Sequence, residues 1–411
     1  MTPPYGARPP RVLMVIRLFY PWIGGTQTQA HRLAKELVAQ GVEVQLVTGW
    51  WFRGTPRREV IDGIPVFRNH TLWEFFGVKG ARKFGGYLYI ATLLWHLWRR
   101  RSTYDVIHVH GLSYHTFGAV LAGRWLGKPT ITKIANSERA SDIDKMRRDR
   151  HLALSRLMLP TALRCDRFVA LNEAVVRELL AAGVPGERIV RIPNGIELAG
   201  SGVKSAYELH DPARLVFVGR LHEQKGVDTL LRAFRAVRDR AALPRVELRL
   251  VGDGPLMGDM VELAARLGIS REVGFEGSRD DVPAFLERAD VFVLPSRAEG
   301  MSNALLEAMS LGLPVVASRI PGNVDVVQDG VDGLLFEVDD PDSLSDALIR
   351  MLGDAALRER VGSRARLTVV ERYALGGVAR RYLGLYRELT GTRGARVVEL
   401  ASASASSPPA G

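Results

Sequence analysis

The residues best suited to chemistry lie in one stretch, Leu294–Ser318, where a predicted strand ends and a helix begins. Glu299 and Gly300 lie in the connecting loop, and Ser302 or Asn303 is the type of residue that caps the start of a helix. The free backbone N–H groups of such a start, together with the helix dipole, form an anion-binding site. Gly300 has no side chain, so a ligand can approach the backbone closely there.

Two carboxylates flank this anion site. Glu299 precedes the predicted helix, and Glu307 lies about one turn inside it. Ionised carboxylates only accept hydrogen bonds, so they suit the hydroxyl groups of a ribose and a hexose. Paired carboxylates are also the acid and nucleophile of glycosidases, and solvated charges are a third interpretation. A carboxylate beside an anion-binding helix start is better suited to binding hydroxyls than to protonating a leaving group, which favours sugar binding.

Two cations lie in a second loop. Arg220 and Lys225 follow a predicted strand and stand between Gly219 and Gly226. Fixed cations can stabilise negative charge on a ligand where no metal ion is available. Two loop cations taken alone are more often solvated, so their assignment to the site depends on the wider pattern below.

Histidines cluster at the end of a third predicted strand, Asp105–Val109. His110 follows the strand, where the active-site residues of parallel sheets gather. His108 lies on the same strand face and is interpreted as a core histidine. With His115 nearby, a metal site is an alternative interpretation, but the three histidines lack a carboxylate partner at a clear spacing, so none is predicted.

Strands and helices alternate along almost the whole chain, which is typical of an α/β protein with parallel sheets. The 411 residues suit two or three domains of roughly 150 residues each. We place a Rossmann-like domain at 1–198, a Gly/Ser-rich linker at 199–210 and a second Rossmann-like domain at 211–372. A helix at about 373–390 is expected to pack back on the first domain. Residues 392–411, which end in an Ala/Ser/Pro run, are expected to be disordered.

The charge of the chain is unevenly distributed. Residues 1–195 carry a net charge of +15 and the remainder −4, which gives +11 for the whole chain. We find no zinc-finger spacing, RNA-binding sheet signature or basic zipper, so no nucleic-acid partner is expected. A basic half is typical of contact with an anionic membrane surface or a phosphate-bearing acceptor, and also of a merely basic domain.

The longest apolar run, Gly86–Trp98, ends at Arg99–Arg101. Its 13 residues are fewer than the roughly 20 that a membrane-spanning helix needs, so it suits a membrane interface or a core helix. The N-terminus lacks the pattern of a signal peptide, and the single cysteine, Cys165, suits a reducing compartment. The sequence therefore predicts a cytoplasmic location, with peripheral contact on the inner face of the membrane as an option.

The stretch around Glu299 and Glu307 resembles the signature of glycosyltransferase family 4, a Glu-x7-Glu pattern between PS and PVVAS. The resemblance covers most of the chain and implies the GT-B fold, in which two doubly wound Rossmann-like domains face each other across a cleft. The other landmarks of the family are Gly24-Gly25, DVIHVHG at Asp105–Gly111, IPNGIE at Ile192–Glu197, VGRLHEQKG at Val218–Gly226, VGDGP at Val251–Pro255 and ADVFVLPS at Ala289–Ser296.

The resemblance also implies roles for individual residues. Glu307 would hold the ribose hydroxyls, and Glu299 and His110 would contact the donor sugar. Arg220 and Lys225 would neutralise the diphosphate, so these two cations, Glu299 and His110 form the expected catalytic set. The other expected donor-binding residues, most of them acting through the backbone, are Gly25, Gly300, Met301, Ser302, Asn303 and Leu305.

A member of this family would be a retaining, metal-independent glycosyltransferase that needs no cofactor. Its donor would be a UDP-, GDP- or ADP-sugar, and its acceptor a carbohydrate, a lipid-linked molecule or a small molecule. A surface polysaccharide or a glycolipid is one expected product. Two alternatives stay open: a sugar-nucleotide isomerase or hydrolase on the same scaffold, and a non-catalytic partner subunit.

The sequence departs from the family pattern at three places. Met301-Ser302-Asn303 replaces the common aromatic-Gly pair after Glu-Gly, which affects the donor-sugar contacts. Lys133 stands where many members have a histidine, and Gln27 replaces a frequent glutamate after Gly-Gly. Gln27 and Lys133 are therefore assigned to the acceptor side of the site.

Overall fold

Two sheets organise the chain, and each forms the centre of one domain. The computed structural model describes residues 8–22, 24–71, 82–134, 136, 141–148, 155–198, 200, 202–240 and 243–405. The first domain contains β1 Val12–Ile16, α1 Gly25–Ala39, β2 Val44–Gly49, β3 Arg58–Ile61, β4 Ile64–Asn69, α2 Arg82–Arg99, β5 Val106–His110, α3 Tyr114–Leu126, β6 Thr130–Ile134, α4 Asp142–Arg148, α5 Ser155–Ala162, β7 Arg167–Ala170, α6 Glu173–Ala181 and β8 Ile189–Arg191.

The second domain follows the same alternation. It contains β9 Ala213–Val218, α7 Val227–Arg238, β10 Val246–Val251, α8 Met257–Arg266, β11 Val273–Gly277, α9 Val282–Glu287, β12 Val291–Leu294, α10 Asn303–Ser310, β13 Val315–Ser318, α11 Pro321–Val324, β14 Leu334–Phe336, α12 Pro341–Gly353 and α13 Ala355–Arg372. The last helix is α14, Leu375–Ala405. Two short 3-10 turns lie at Gly186–Arg188 and Glu223–Lys225.

Both sheets have the doubly wound strand order that places ligands at the carboxyl ends of the strands. The first sheet has the order β3-β4-β2-β1-β5-β6-β7-β8, and the second has the order β11-β10-β9-β12-β13-β14. All neighbouring strands are parallel except β3 and β4, which form an antiparallel pair at the edge. The central strand β1, VLMVI, is buried along its whole length because helices cover both faces of its sheet.

Helix α14 follows the second domain in sequence but packs on the first. Its residues Tyr382 and Tyr386 are fully buried and share a core with Met14 of β1 and Leu37 of α1. Residues 392–405 are helical, where the sequence composition predicts a disordered tail. Alanine is the strongest helix former and recurs in this stretch, which explains the difference. Residues 406–411 of the predicted tail lie outside the described residues.

Candidate active site

A cleft of about 1070 Å³ lies between the two sheets and is lined by both domains. It opens at the carboxyl ends of the strands, as expected for two facing doubly wound sheets. The first domain contributes Gly25, Gln29, Arg32, His110, Lys133 and Asn194, and the second contributes Arg220, Lys225, Glu299, Gly300, Met301, Ser302, Asn303 and Glu307. The structure therefore brings most of the predicted site residues to one place.

The predicted anion site is the start of α10. Ser302 is the N-cap residue, and its hydroxyl accepts a hydrogen bond from the amide of Leu305 at 3.4 Å. The remaining first-turn amides have no acceptor inside the helix, so they are available to a ligand in the cleft. Leu305 does not line the cleft, because its side chain is fully buried and its amide is bound to Ser302. Its expected contact with the donor stays a prediction.

Glu299 is held in place at the cleft wall by two partners. Its Oε1 atom accepts hydrogen bonds from the hydroxyl of Ser296 at 2.8 Å and from Nζ of Lys225 at 2.5 Å. The side chain of Glu299 is 12% exposed and that of Lys225 is 22% exposed. The predicted anion-binding lysine and the predicted sugar-binding glutamate are therefore an ion pair, which orients the carboxylate before a ligand arrives.

The loop of Glu299 is also fixed by a close backbone contact. A Cβ atom added to Gly322, at the start of α11, would lie 2.3 Å from the carbonyl oxygen of Glu299 and 2.9 Å from that of Gly300. Both contacts are with backbone atoms, which cannot rotate away. Only glycine fits at this position without moving the loop.

We therefore expect Gly322→Ala to destabilise the protein by about 1–3 kcal/mol through overpacking. The same change displaces the Glu299 loop, so sugar transfer should also decline. Gly384→Ala, in α14, is the matched control because an added Cβ there meets nothing within 4 Å. Urea unfolding of both variants checks this; equal stability of Gly322→Ala and the wild type would contradict the expected contact.

The cations of the second loop are positioned by two further close approaches. Gly252 has a φ of +137°, and a Cβ atom on it would lie 2.0 Å from the carbonyl oxygen of Gly219. Gly226 has a φ of +60°, and its Cβ atom would lie 2.2 Å from the carbonyl oxygen of Pro295. The loops that follow β9, β10 and β12 therefore pack backbone against backbone. This packing brings Lys225 to Glu299.

Arg220 differs from Lys225 because it has no partner. It is exposed in the cleft, and among the residues that the structure describes it makes no hydrogen bond or ion pair. A guanidinium group offers five donors in a fixed fork that matches a phosphate group. Arg220 is therefore the cation of this loop that is available to an anionic ligand.

Side chains from the first domain contact α10 across the cleft. Arg32 of α1 donates to Oε1 of Glu307 at 2.8 Å. Gln29 donates to Oδ1 of Asn303 at 2.9 Å, and Nδ2 of Asn303 donates to the carbonyl oxygen of Gly25 at 3.3 Å. The helix starts of α1 and α10 therefore meet, which places the expected backbone contact of Gly25 beside the anion site.

Two asparagines of the first domain, each in a loop that follows a strand, form hydrogen bonds with the segment 300–303. Asn172 donates to the carbonyl oxygen of Gly300 at 2.7 Å. Nδ2 of Asn194 donates to the carbonyl oxygen of Met301 at 3.2 Å and to Oδ1 of Asn303 at 3.1 Å. Sequence reasoning did not assign Asn172, Asn194, Gln29 or Arg32 to the site. Asn194 carried a signal, because it lies in IPNGIE, but its partner on the other domain was not predictable.

Lys133 is the buried cation of the first domain. Only 5% of it is exposed, and its Nζ atom donates to Oδ1 of Asn194 at 2.8 Å. Burial lowers the pKa of Lys133 from 10.5 to about 7. Through Asn194, Lys133 supports the loop of Met301 and Asn303, so it acts on the donor segment as well as lining the cleft near the expected acceptor side.

The lowered pKa predicts how Lys133 affects stability. Between pH 7 and 10.5 the unfolded chain keeps the proton and the folded chain loses it, so the free energy of unfolding rises with pH by up to about 1.4 kcal/mol per unit. Below this window the folded protein bears the cost of a buried charge. We expect Lys133→Met, which removes the charge, to lose this rise.

Urea unfolding from about pH 6 to about pH 10 checks the expectation. The stability of Lys133→Met relative to the wild type should be greatest at low pH and should decrease as the pH rises. Lys35→Met removes an exposed lysine and should follow the pH profile of the wild type. Parallel profiles for the wild type and Lys133→Met would contradict the lowered pKa.

His110 lies at the cleft with its ring buried. Neither ring nitrogen has a partner in the described part of the chain, and burial holds the pKa of His110 well below 6.5. Its ring stacks on His108, with centroids 4.3 Å apart, and His108 binds the hydroxyl of Tyr386 at 2.8 Å. A neutral His110 can donate from one nitrogen and accept at the other, which suits a sugar hydroxyl. The described residues contain no group of three or more His, Cys, Asp or Glu side chains that could hold a metal ion.

Gln27 lies beside the cleft and not in it. It lines a smaller pocket of about 280 Å³ in the first domain, together with Arg17, Asn136 and Lys145. Its amide donates to the carbonyl oxygen of Leu18 at 3.2 Å. Because His110 lines both spaces, the small pocket adjoins the cleft at that residue. The assignment of Gln27 to the acceptor side stays a prediction.

Two family models match the chain, one for each domain. The model described as Glycosyltransferase Family 4 matches residues 23–199, and the model described as Glycosyl transferases group 1 matches residues 212–354. Residues 200–211, between the two matches, connect the first sheet to the second. They cover the segments that carry all the cleft residues described above.

Curated proteins and a solved structure are similar to the chain. It is 31% identical over 272 residues to the UDP-Gal:alpha-D-GlcNAc-diphosphoundecaprenol alpha-1,3-galactosyltransferase of Escherichia coli, across 63% of this chain and 69% of that protein. It is 26% identical over 385 residues to the N-acetyl-alpha-D-glucosaminyl L-malate synthase of Bacillus anthracis, across 90% and 95%. The Alr3699/HepE structure from Anabaena, solved with UDP, matches with a TM-score of 0.71 at 19% identity, across 92% of this chain and 100% of that one. This likeness confirms the two-domain GT-B fold.

Proposed function

The chain belongs to the family 4, group 1 glycosyltransferases, and from that premise we propose that it is a retaining, metal-independent enzyme that uses a nucleotide sugar. One observation carries the proposal. An unpaired cation, Arg220, and a fixed carboxylate, Glu299, face the same interdomain cleft as the start of α10. That set matches the charges of a sugar joined to a diphosphate.

The diphosphate would bind at the start of α10. Arg220, Lys225 and the free first-turn amides would offset the charge that develops as the nucleoside diphosphate leaves. Two cations and a helix start would supply this stabilisation without a metal ion, which is the basis for proposing metal independence. Glu307 would accept hydrogen bonds from the ribose, and Glu299 and His110 would hold hydroxyls of the donor sugar.

Retention follows if the acceptor attacks from the face that the diphosphate leaves. The bond between the anomeric carbon and the phosphate oxygen breaks, the bond to the acceptor oxygen forms, and the leaving phosphate takes the acceptor proton. Glu299, the carboxylate assigned to the donor sugar, is engaged by Lys225 and Ser296. This engagement supports a binding role for Glu299 over that of a covalent nucleophile.

The names of the relatives guide the choice of substrates. The Escherichia coli relative is named for a UDP-galactose donor and a lipid-linked acceptor, so we propose UDP-sugars first, with GDP- and ADP-sugars as alternatives. A carbohydrate or lipid-linked acceptor is the corresponding proposal. We also propose a cytoplasmic location, because the only cysteine, Cys165, is a buried thiol that suits a reducing compartment.

Thermal shift with UDP-, GDP- and ADP-sugars identifies the donor, and nucleotide release is then measured with and without candidate acceptors. Release that depends on an acceptor supports transfer, whereas rapid conversion of the donor alone supports the isomerase or hydrolase. Failure to bind any nucleoside diphosphate would support a non-catalytic subunit. NMR of the product reports its anomeric configuration, and inversion would contradict the proposed mechanism.

A further inference from the structure

Exposed aromatic side chains cluster on α2 and α3. Trp95 of α2 is 58% exposed, and Trp125 of α3 is 68% exposed. Leu121, one turn before Trp125, is 40% exposed, and Trp98 lies next to Trp95 with ring centroids 5.0 Å apart. We call these four side chains the aromatic face. Contiguous exposed apolar groups of this size mark interaction sites on soluble proteins.

The apolar run that the sequence singles out divides between two roles. Tyr89, Ile90, Leu93 and Leu97 are buried in the core of the first domain, so the run is mainly a core helix. Only its outer edge, at Trp95 and Trp98, belongs to the aromatic face. Leu121 and Trp125 come from a segment with no apolar run of comparable length, and sequence reasoning did not connect the two.

The exposed sides of both helices point in the same direction. Gly118 of α3 lies against α2, since a Cβ atom on it would be 3.5 Å from Ile90 and from Leu93. Both helices share one buried cluster with β1 and β5, so they cover the same face of the first sheet. Exposed and buried positions lie on opposite sides of each helix, and Trp95 and Trp125 therefore face outward together.

The segment 82–134, which carries the aromatic face, is strongly basic in sequence. The only acidic residue in the sequence from 82 to 134 is Asp105, and its carboxylate is bound by the guanidinium of Arg11 at 2.9 Å. Three exposed arginines lie at the C-terminal ends of the two helices and make no ion pair with any described residue: Arg99, Arg101 and Arg124. The guanidinium of Arg101 also lies 5.3 Å from the ring centroid of Trp98.

We propose that the aromatic face docks the protein on an anionic lipid bilayer. Tryptophan rings favour the headgroup region of a bilayer, and arginines beside them attract anionic lipids. The described helices include none that is long and apolar enough to cross a membrane. A second copy of the chain fits this surface poorly, because a symmetric contact would bring the same unpaired arginines against each other.

Docking through this face leaves the cleft accessible. Helix α3 starts at Tyr114, which lines the small pocket beside the cleft, and Trp125 lies about 16 Å further along the helix at about 1.5 Å per residue. No residue of the aromatic face lines the cleft. The inference therefore goes beyond the proposed glycosyl transfer and does not depend on it.

Co-sedimentation of the full chain with vesicles tests the proposal, using phosphatidylcholine with and without phosphatidylglycerol. We expect binding to the anionic vesicles at low salt and release at high salt.

Arg99→Gln, Arg101→Gln and Arg124→Gln together should weaken binding on the order of 100-fold, at about fivefold for each arginine. Trp95→Ala with Trp125→Ala should weaken it about tenfold or more, and brominated lipids should quench the tryptophan fluorescence of the wild type more than that of this double variant.

Matched controls carry the same changes elsewhere on the surface. Arg232, Arg360 and Arg364 are exposed arginines of the second domain, and their triple change to glutamine should leave vesicle binding as it is. Val60 and Leu180 are exposed apolar residues outside the aromatic face. Their double change to alanine is the control for the double tryptophan variant and should also leave vesicle binding as it is.

Three results would overturn the proposal. The first is wild-type protein that stays in the supernatant with anionic vesicles at low salt. The second is binding that the tryptophan and arginine variants leave unchanged. The third is a concentration-dependent dimer that the tryptophan variant abolishes, without lipid binding. Unchanged melting temperatures show that the variants fold, and unchanged UDP binding separates a failure here from a failure of the proposed function.

Discussion

We expect the replacement of Glu299 by glutamine to lower kcat/KM for sugar transfer by about 100- to 1000-fold. The change keeps the shape of the side chain but removes the charge that Lys225 binds at 2.5 Å. A hydrogen bond to a charged group contributes about 1.5–3 kcal/mol, and an unsatisfied partner costs about 1–3 kcal/mol more. The lower half of their sum, about 2.5–4 kcal/mol, corresponds to a loss of two to three orders of magnitude in rate, and the lower half applies because the glutamine amide oxygen still accepts a hydrogen bond.

Glu371→Gln is the matched control, because Glu371 is exposed at the end of α13 and lies outside the cleft. Kinetics with the donor identified by thermal shift should show wild-type values for this control. Wild-type kcat/KM and donor affinity in Glu299→Gln would remove Glu299 from the site. A melting temperature close to that of the wild type shows that the loss is one of function.

We expect the replacement of Arg220 by alanine to weaken the binding of a nucleoside diphosphate by about 10- to 100-fold. Arg220 has no partner among the described residues, so its removal leaves no protein group unsatisfied. The loss therefore reports the contact with the ligand, which is worth about 1.5–3 kcal/mol for a charged hydrogen bond. The effect should depend on phosphate: large for UDP, smaller for UMP and absent for uridine.

Isothermal titration of the three ligands checks this dependence, with Arg232→Ala as the control for an exposed arginine outside the cleft. An equal loss for uridine and UDP would mean that Arg220 contacts the nucleoside. Lys225→Met should also weaken UDP binding. A double-mutant cycle of Lys225→Met with Glu299→Gln should be non-additive, because the two side chains form one ion pair.

The fold was predictable because its signals are local. Apolar runs such as VLMVI at β1, alternating with amphipathic segments, predict parallel strands between helices. The β3–β4 pair was missed, since the four residues of β3 alternate between exposed and half-buried and carry mixed charges. The tail was assigned from composition, and composition does not tell an alanine-rich helix from disorder.

The candidate site was predictable where one segment holds several functional groups. The Glu299 loop and the start of α10 could be recognised because cap, glycine and carboxylate follow each other closely in sequence. The pairing of Glu299 with Lys225 was not predictable, since 74 residues separate them. Arg32 and Glu307 are 275 residues apart, so their contact depends on how two independent domains meet. Contacts between side chains of different domains have no regular separation in the sequence, so they cannot be predicted from it.

A crystal structure with UDP, or with the nucleoside diphosphate that binds best, tests the proposed site most directly. We expect the diphosphate at the start of α10, with phosphate oxygens within hydrogen-bond distance of Arg220 and Lys225 and the ribose facing Glu307. A nucleotide bound outside the interdomain cleft, or a diphosphate remote from these two cations, would contradict it.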